Sequence, residues 1–159
     1  DPATNVVAYN GSQVNRGIEF NLFGEAVKGV RLLGGTTLLD ASLQRTAGGL
    51  TDGNRPSGVP VYTIVGHIDW DLPGVAGMAM RAGVLHTGSV YADNANTQLA
   101  PSWTRLDAGI RYAFKAGASD VMLHFNVDNL LDTRYFQVER GTVYSGAGRI
   151  YRLSAVAKF

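Results

Sequence analysis

The chain has 159 residues, 20 of them glycine, no cysteine, and a net charge of +1 from 14 basic and 13 acidic side chains. That length supports one ordinary domain, and the missing cysteines exclude disulfides and thiolate metal sites. A charge so near zero, with no Lys/Arg run, excludes a nucleic-acid patch.

Period-2 alternation predicts a first strand over residues 15–23, with Ile18, Phe20 and Leu22 on one face and Asn15, Glu19 and Asn21 on the other. Residues 24–29 (GEAVKG) read as a short turn into a second strand, 30–42. After the long polar stretch 43–60, a third strand over 61–72 sets Tyr62, Ile64, Gly66, Ile68, Trp70 and Leu72 against Thr63, His67, Asp69 and Asp71. Residues 73–77 (PGVAG) turn the chain into a fourth strand, 78–90. A long segment, 91–102, leads to a fifth strand, 103–114, where Leu106, Ala108, Ile110, Tyr112 and Phe114 oppose Arg105, Asp107, Gly109 and Arg111. Residues 115–120 (KAGASD) form a short turn into a sixth strand, 121–130, with Val121, Leu123, Phe125 and Val127 against His124, Asn126 and Asp128. The long stretch 131–148 then precedes a seventh strand, 149–159.

Short turns thus alternate with long polar loops, which is the pattern of outer-membrane barrels with their short turns periplasmic. A mean hydropathy of −0.01 fits such strands as well as it fits a soluble protein. No stretch approaches the roughly 20 apolar residues of a membrane helix. Charges in strand interiors share one face; the exceptions, Arg16 and Arg149, lie beside long loops. Trp70, Tyr112, Phe114 and Phe159 fall on the apolar face near the short turns, and Tyr62 and Tyr151 on that face near the long loops. Two aromatic girdles would be placed so. A soluble antiparallel sandwich with one buried face gives the same alternation. The chain opens on Asp1 without methionine or signal peptide, so it reads as a processed or excised piece.

Four stretches carry a resemblance. The last strand ends on Phe159, with Tyr151, Leu153, Ala155 and Ala157 on one face, and resembles the C-terminal signal read by the barrel assembly machinery. That pattern often has an aromatic where Ala157 stands. Asn15-Arg-Gly-Ile-Glu-Phe20 resembles the RG-hydrophobic-E strand of TonB-dependent siderophore receptors. Residues 126–135 (NVDNLLDTRY) resemble their N-x-x-N-L-F-D-x-x-Y segment, with Leu131 in place of phenylalanine. The passage from Tyr91-Ala-Asp93 through Asn96-Thr97 to Leu99-Ala-Pro-Ser-Trp103 resembles the loop-to-strand region between them.

The resemblance covers nearly all of residues 1–159. It implies an all-β, antiparallel, up-and-down transmembrane β-barrel, of which this chain supplies about seven C-terminal strands out of 22, without the plug domain. It further implies a multi-pass outer-membrane protein surrounded by lipid. Its transported ligand would be a ferric siderophore, and its energy would come from TonB–ExbB–ExbD contacting a TonB box in the absent plug. Neither an enzymatic activity nor a resident cofactor is implied. A passive porin is the rival reading, with a soluble sandwich adhesin behind it. By residue type and position, Tyr91, Trp103, Tyr135, Phe136, Arg140 and Tyr144 are the candidate ligand contacts.

Other constellations are weaker. His67, Asp69 and Asp71 are spread along one strand by about 7 Å per pair, which does not converge on a metal; His124, Asn126 and Asp128 share that geometry. Residues 93–96 lack the spaced carboxylates and glutamate of an EF-hand. Trp70-Asp71 matches the WD dipeptide of propellers, but two long strands per repeat are too few for a blade. Ser145 and Ser154 have no histidine close in sequence to serve as base. Arginine at Ile110 or Leu123 is expected to impair assembly, and asparagine at Asp107 to be tolerated.

Overall fold

The computed structural model describes residues 11–159. Its strands are β1 (Ser12–Val27), β2 (Val30–Gln44), β3 (Tyr62–Asp71), β4 (Met78–Thr87), β5 (Val90–Tyr91), β6 (Leu99–Ala100), β7 (Trp103–Ala116), β8 (Ser119–Asp128), β9 (Phe136–Glu139), β10 (Thr142–Ser145) and β11 (Ile150–Lys158), with a short 3-10 turn at Ala47–Gly49. Seven of them form one antiparallel sheet in the order β1-β2-β3-β4-β7-β8-β11. The seven expected strands are therefore all present, joined up and down. The remaining four make two small hairpins, β9–β10 inside an expected loop and β5–β6 beginning at Val90, the expected end of the fourth strand, which instead stops at Thr87. They are too short to show a period.

One expected turn is displaced. β1 runs through Glu25 to Val27, with a bulge between Glu25 and Val27, so only Lys28 and Gly29 turn the chain. Gly29 N–H donates to the Glu25 carboxylate at 2.6 Å, closing the tip. At the β3–β4 turn Gly77 has φ +78°, and an added Cβ would lie 2.0 Å from the Ala113 carbonyl oxygen. Only glycine fits there, because both the backbone conformation and the space exclude a side chain.

Register turns the alternation of each strand into a property of the whole sheet. The pairs Ile18↔Leu38, Ile68↔Ala82, Trp70↔Met80, Ile110↔Phe125, Tyr112↔Leu123 and Leu153↔Phe125 lie on one side. Among the described residues that side carries charge only at the long-loop margin, where Arg16 faces Asp40. Its large side chains stay open: Ile18 is 71% exposed, Phe20 62% and Leu153 78%. No second layer covers the described sheet, so the expected alternative of a sandwich core is absent. A continuous apolar face of this extent requires a nonaqueous neighbour. β3, β4 and β8 have 10 residues each and β11 has 9, the length that spans a bilayer when tilted.

Candidate functional site

The opposite face is polar, and its charges are organised. Near the short turns, Arg31 on β2 makes a two-pronged contact with Asp71, Nη2 to Oδ1 at 2.7 Å and Nη1 to Oδ2 at 2.8 Å, and also reaches Asp69. Arg81 on β4 pairs with Asp69 at 3.2 Å, and Arg111 on β7 with Asp71 at 3.1 Å. Register explains the convergence, since Arg31, Asp69 and Arg81 stand side by side across three strands. Isolated surface pairs contribute little, but a forked arginine shared between two carboxylates holds geometry. Asp69 and Asp71 therefore engage guanidinium groups. His67 diverges from them and lies over Gly83, where an added Cβ would be 2.7 Å from its Nδ1. Asn126 lies over Gly109 in the same manner, at 2.4 Å from its Oδ1.

This face is not uniformly wettable. Phe23, opposite Leu33, projects from it 80% exposed, with Leu33 57% exposed and Val156 on β11 59% exposed. Apolar groups thus alternate with ionic ones along a single wall.

Above the wall, the long loops are stitched together. Between the β2–β3 and β4–β7 loops, Asn54 Nδ2 donates to the Asn94 carbonyl and Ser57 N–H to Asn94 Oδ1, both at 2.9 Å. Arg55 and Asn96 exchange two bonds, Arg55 N–H to Asn96 Oδ1 at 2.9 Å and Asn96 Nδ2 to the Arg55 carbonyl at 2.8 Å. Gly58 N–H donates to the Tyr91 carbonyl at 2.9 Å, and Gly58 also lies against Val138 of β9. Asp93 accepts from Gln98 N–H, Thr97 N–H and the Thr97 hydroxyl. These donors, Gln98 N–H first, hold its carboxyl below the usual aspartate range. Thr46 N–H does the same for Asp52.

The third long loop hangs from Asn129, only 1% exposed. Its Nδ2 donates to the Thr133 and Ala147 carbonyls at 2.9 and 3.0 Å, and its Oδ1 accepts from Thr133 N–H at 2.9 Å. Asn129 N–H donates to Asp107 Oδ1 at 2.8 Å, while Asp107 Oδ2 holds Arg105 at 3.0 Å. Asp107 is therefore more than a solvated wall residue, since its carboxylate ties the Asn129 backbone to Arg105. Sequence reasoning took Asn129 only as part of a motif and did not single out Arg105.

Of the six candidate ligand contacts, the structure brings Trp103 and Tyr135 together, stacked with centroids 4.1 Å apart on the polar side. Tyr135 is buried, so Trp103 presents the pair's accessible surface. Phe136, Arg140 and Tyr144 lie on the β9–β10 hairpin, exposed, with Arg140 at its tip. Phe136 faces Ser145 and Tyr144 faces Gln137, which puts the two rings on opposite sides of that hairpin. The Tyr144 hydroxyl donates to Glu139 at 3.2 Å. Desolvation and then the Glu139 carboxylate raise its phenol above the usual range, keeping it protonated. Tyr91 belongs to the separate β5–β6 hairpin, opposite Leu99. On β11, Tyr151, Leu153, Ala155 and Ala157 face Val127, Phe125, Leu123 and Val121 on the apolar side, and Phe159 follows fully exposed.

A family model described as TonB dependent receptor-like, beta-barrel matches residues 1–130. The ferrichrome receptor FcuA of Yersinia enterocolitica is 40% identical over all of this chain and 21% of its own length. The ferrichrome outer membrane transporter/phage receptor of Escherichia coli K12 is 31% identical over 85% of the chain and 18% of its own length. Among solved structures, BauA, the ferric preacinetobactin receptor of Acinetobacter baumannii, superposes with a TM-score of 0.87 and 33% identity, covering 93% of this chain and 22% of that one. The chain spans about a fifth of the length of the curated relatives it matches.

Proposed function

The chain belongs to the TonB-dependent receptor β-barrel family, and from that premise we propose that residues 1–159 form the C-terminal wall of an outer-membrane receptor that binds and imports ferric siderophores. The apolar face meets lipid, and the stitched loops with Trp103, Tyr135, Phe136, Arg140, Tyr144 and Tyr91 stand on the extracellular side. The polar face lines the inside of the barrel. There the parent's plug domain would pack and would carry the TonB box through which TonB–ExbB–ExbD powers import. The terminal β11 and Phe159 would serve as the recognition signal for barrel assembly.

The observation that carries this reading is the mixed character of the inner wall. A water-filled porin has a polar lining, whereas Phe23 and Leu33 project from this one on the strands that carry Arg31 and its neighbours, and Val156 projects from it on β11. Apolar groups inside a barrel are stable against protein and costly against water. Support also comes from the names of the relatives, which are ferrichrome and siderophore receptors.

The test is uptake of radiolabelled ferric ferrichrome and a panel of other ferric siderophores by iron-starved cells carrying or lacking the parent gene. Saturable uptake of one of them, abolished by a protonophore, is the expected result. Unsaturable, energy-independent entry would instead establish the porin.

A further inference from the structure

Trp103, Arg105 and Asp107 stand at alternate positions of β7 and so line up along its polar face. Two of them grip the third long loop. Trp103 stacks on Tyr135 at 4.1 Å, and Asp107 Oδ1 accepts Asn129 N–H at 2.8 Å. The two attachments are about 13 Å apart along the strand. One alone would let the loop swing; two fix its tilt as well as its place.

Each attachment has its own support. Arg105 Nη2 donates to Asp107 Oδ2 at 3.0 Å, which holds the carboxylate by its other oxygen and stops it rotating away from Asn129. Asn129 extends the anchorage, because its side chain bonds Thr133 and Ala147, the residues that bracket Tyr135 and the whole β9–β10 hairpin. Asn129 and Asp132 have φ of +52° and +53°, a backbone conformation that residues other than glycine keep where their surroundings enforce it. At the second attachment the Tyr135 ring lies against Gly146, where an added Cβ would be 2.1 Å from it. Gly146 N–H donates to the Tyr135 carbonyl at 2.8 Å, closing the base of the hairpin.

The hairpin held in this way carries Phe136, Arg140 and Tyr144, all exposed. A ligand that meets it need not order it, and affinity that would be lost to ordering is kept. We propose that Asp107 is a positioning residue for ligand binding. From the barrel wall it sets the orientation of the β9–β10 hairpin, and through the hairpin the affinity for a ferric siderophore. This rests on the reading that the long loops bind that ligand.

The full-length parent receptor can be titrated with ferric ferrichrome, then with the other ferric siderophores of the panel, and Kd taken per heat-modifiable, assembled receptor. Asp107→Ala should raise Kd about tenfold, the effect of one lost buried hydrogen bond. Asp107→Asn keeps an acceptor for the Asn129 amide and should stay within about threefold of wild type. Hydrogen exchange of amides 133–147 in the unliganded receptor should quicken in Asp107→Ala and much less in Asp107→Asn. A merely stabilising residue would lower the yield of assembled receptor and leave Kd unchanged, and that result would overturn the proposal. Equal rises in Kd for Asp107→Ala and Asp107→Asn would overturn it too, since charge rather than position would then be responsible. Arg105→Gln, which frees the carboxylate to rotate, decides the matter where Asp107→Ala does not assemble: a raised Kd supports the proposal and an unchanged one overturns it. A wild-type receptor that binds no member of the panel would sink the siderophore reading, while the exchange rates still report whether Asp107 positions the hairpin.

Discussion

Asn129 spends its whole side chain on the loop beneath which it is buried, two donated bonds and one accepted. Asn129→Ala would strand three backbone groups, at about 1–3 kcal/mol for each left without a partner. The expected outcome is faster limited proteolysis between residues 129 and 149, with the melting of the barrel little changed. Ile110→Arg acts on the other face. A guanidinium facing hydrocarbon at midplane costs about 2–4 kcal/mol, so assembled receptor should fall sharply in outer-membrane fractions. Asp107→Asn keeps an acceptor for Asn129 N–H and loses only the charge opposite Arg105, which should give a smaller loss than either. The apolar identity of Ile110 was legible from its period. The work of Asn129 and Asp107 was not, because their partners are backbone groups up to 22 residues away.

At the scale of elements, the seven wall strands were readable because each is long enough to display its alternation. The sixth is typical, with Val121, Leu123, Phe125 and Val127 against His124, Asn126 and Asp128. The hairpins β5–β6 and β9–β10 have two and four residues per strand, and tertiary contacts to Gly58 rather than periodicity place them. The late end of β1 was missed because Gly24 resembles a turn residue while the strand passes through it. Gly77→Ala tests a turn directly. A Cβ 2.0 Å from a carbonyl at positive φ should cost at least about 1–3 kcal/mol, read as a lower unfolding temperature of the refolded receptor. The Asp93 turn has a pH signature. Its carboxyl is held low in the folded loop, so the stabilisation is complete above the ordinary aspartate value of about 3.9 and is lost as pH falls through the depressed one. Hydrogen exchange of Thr97 and Gln98 amides should stay slow, relative to an Asp93→Ala control, down to about pH 4 and approach that control only below it.

For the whole molecule, the described residues make a sheet open at β1 and β11. Unpaired edges recruit other strands, and the apolar face adds a second reason for the chain not to stand alone. Refolded by itself in detergent, the chain of 159 residues should give no heat-modifiable, protease-resistant species, while the full-length receptor should give one on the same gel. A resistant monomer from the isolated chain would contradict the wall reading. Fold class was thus legible from alternation and loop length. The apolar patch on the polar wall became visible only once register placed Phe23 and Leu33 side by side.

The seam between residues 54–58 and 91–96 also constrains how such a receptor can diverge. Surface loops ordinarily accept insertions one at a time. Here, lengthening either segment shifts the asparagines out of step with the backbone groups they hold. Insertions and deletions in the two loops should therefore occur as compensating pairs among descendants that keep the seam, and a chimera exchanging one loop alone should lose its outer rim's order.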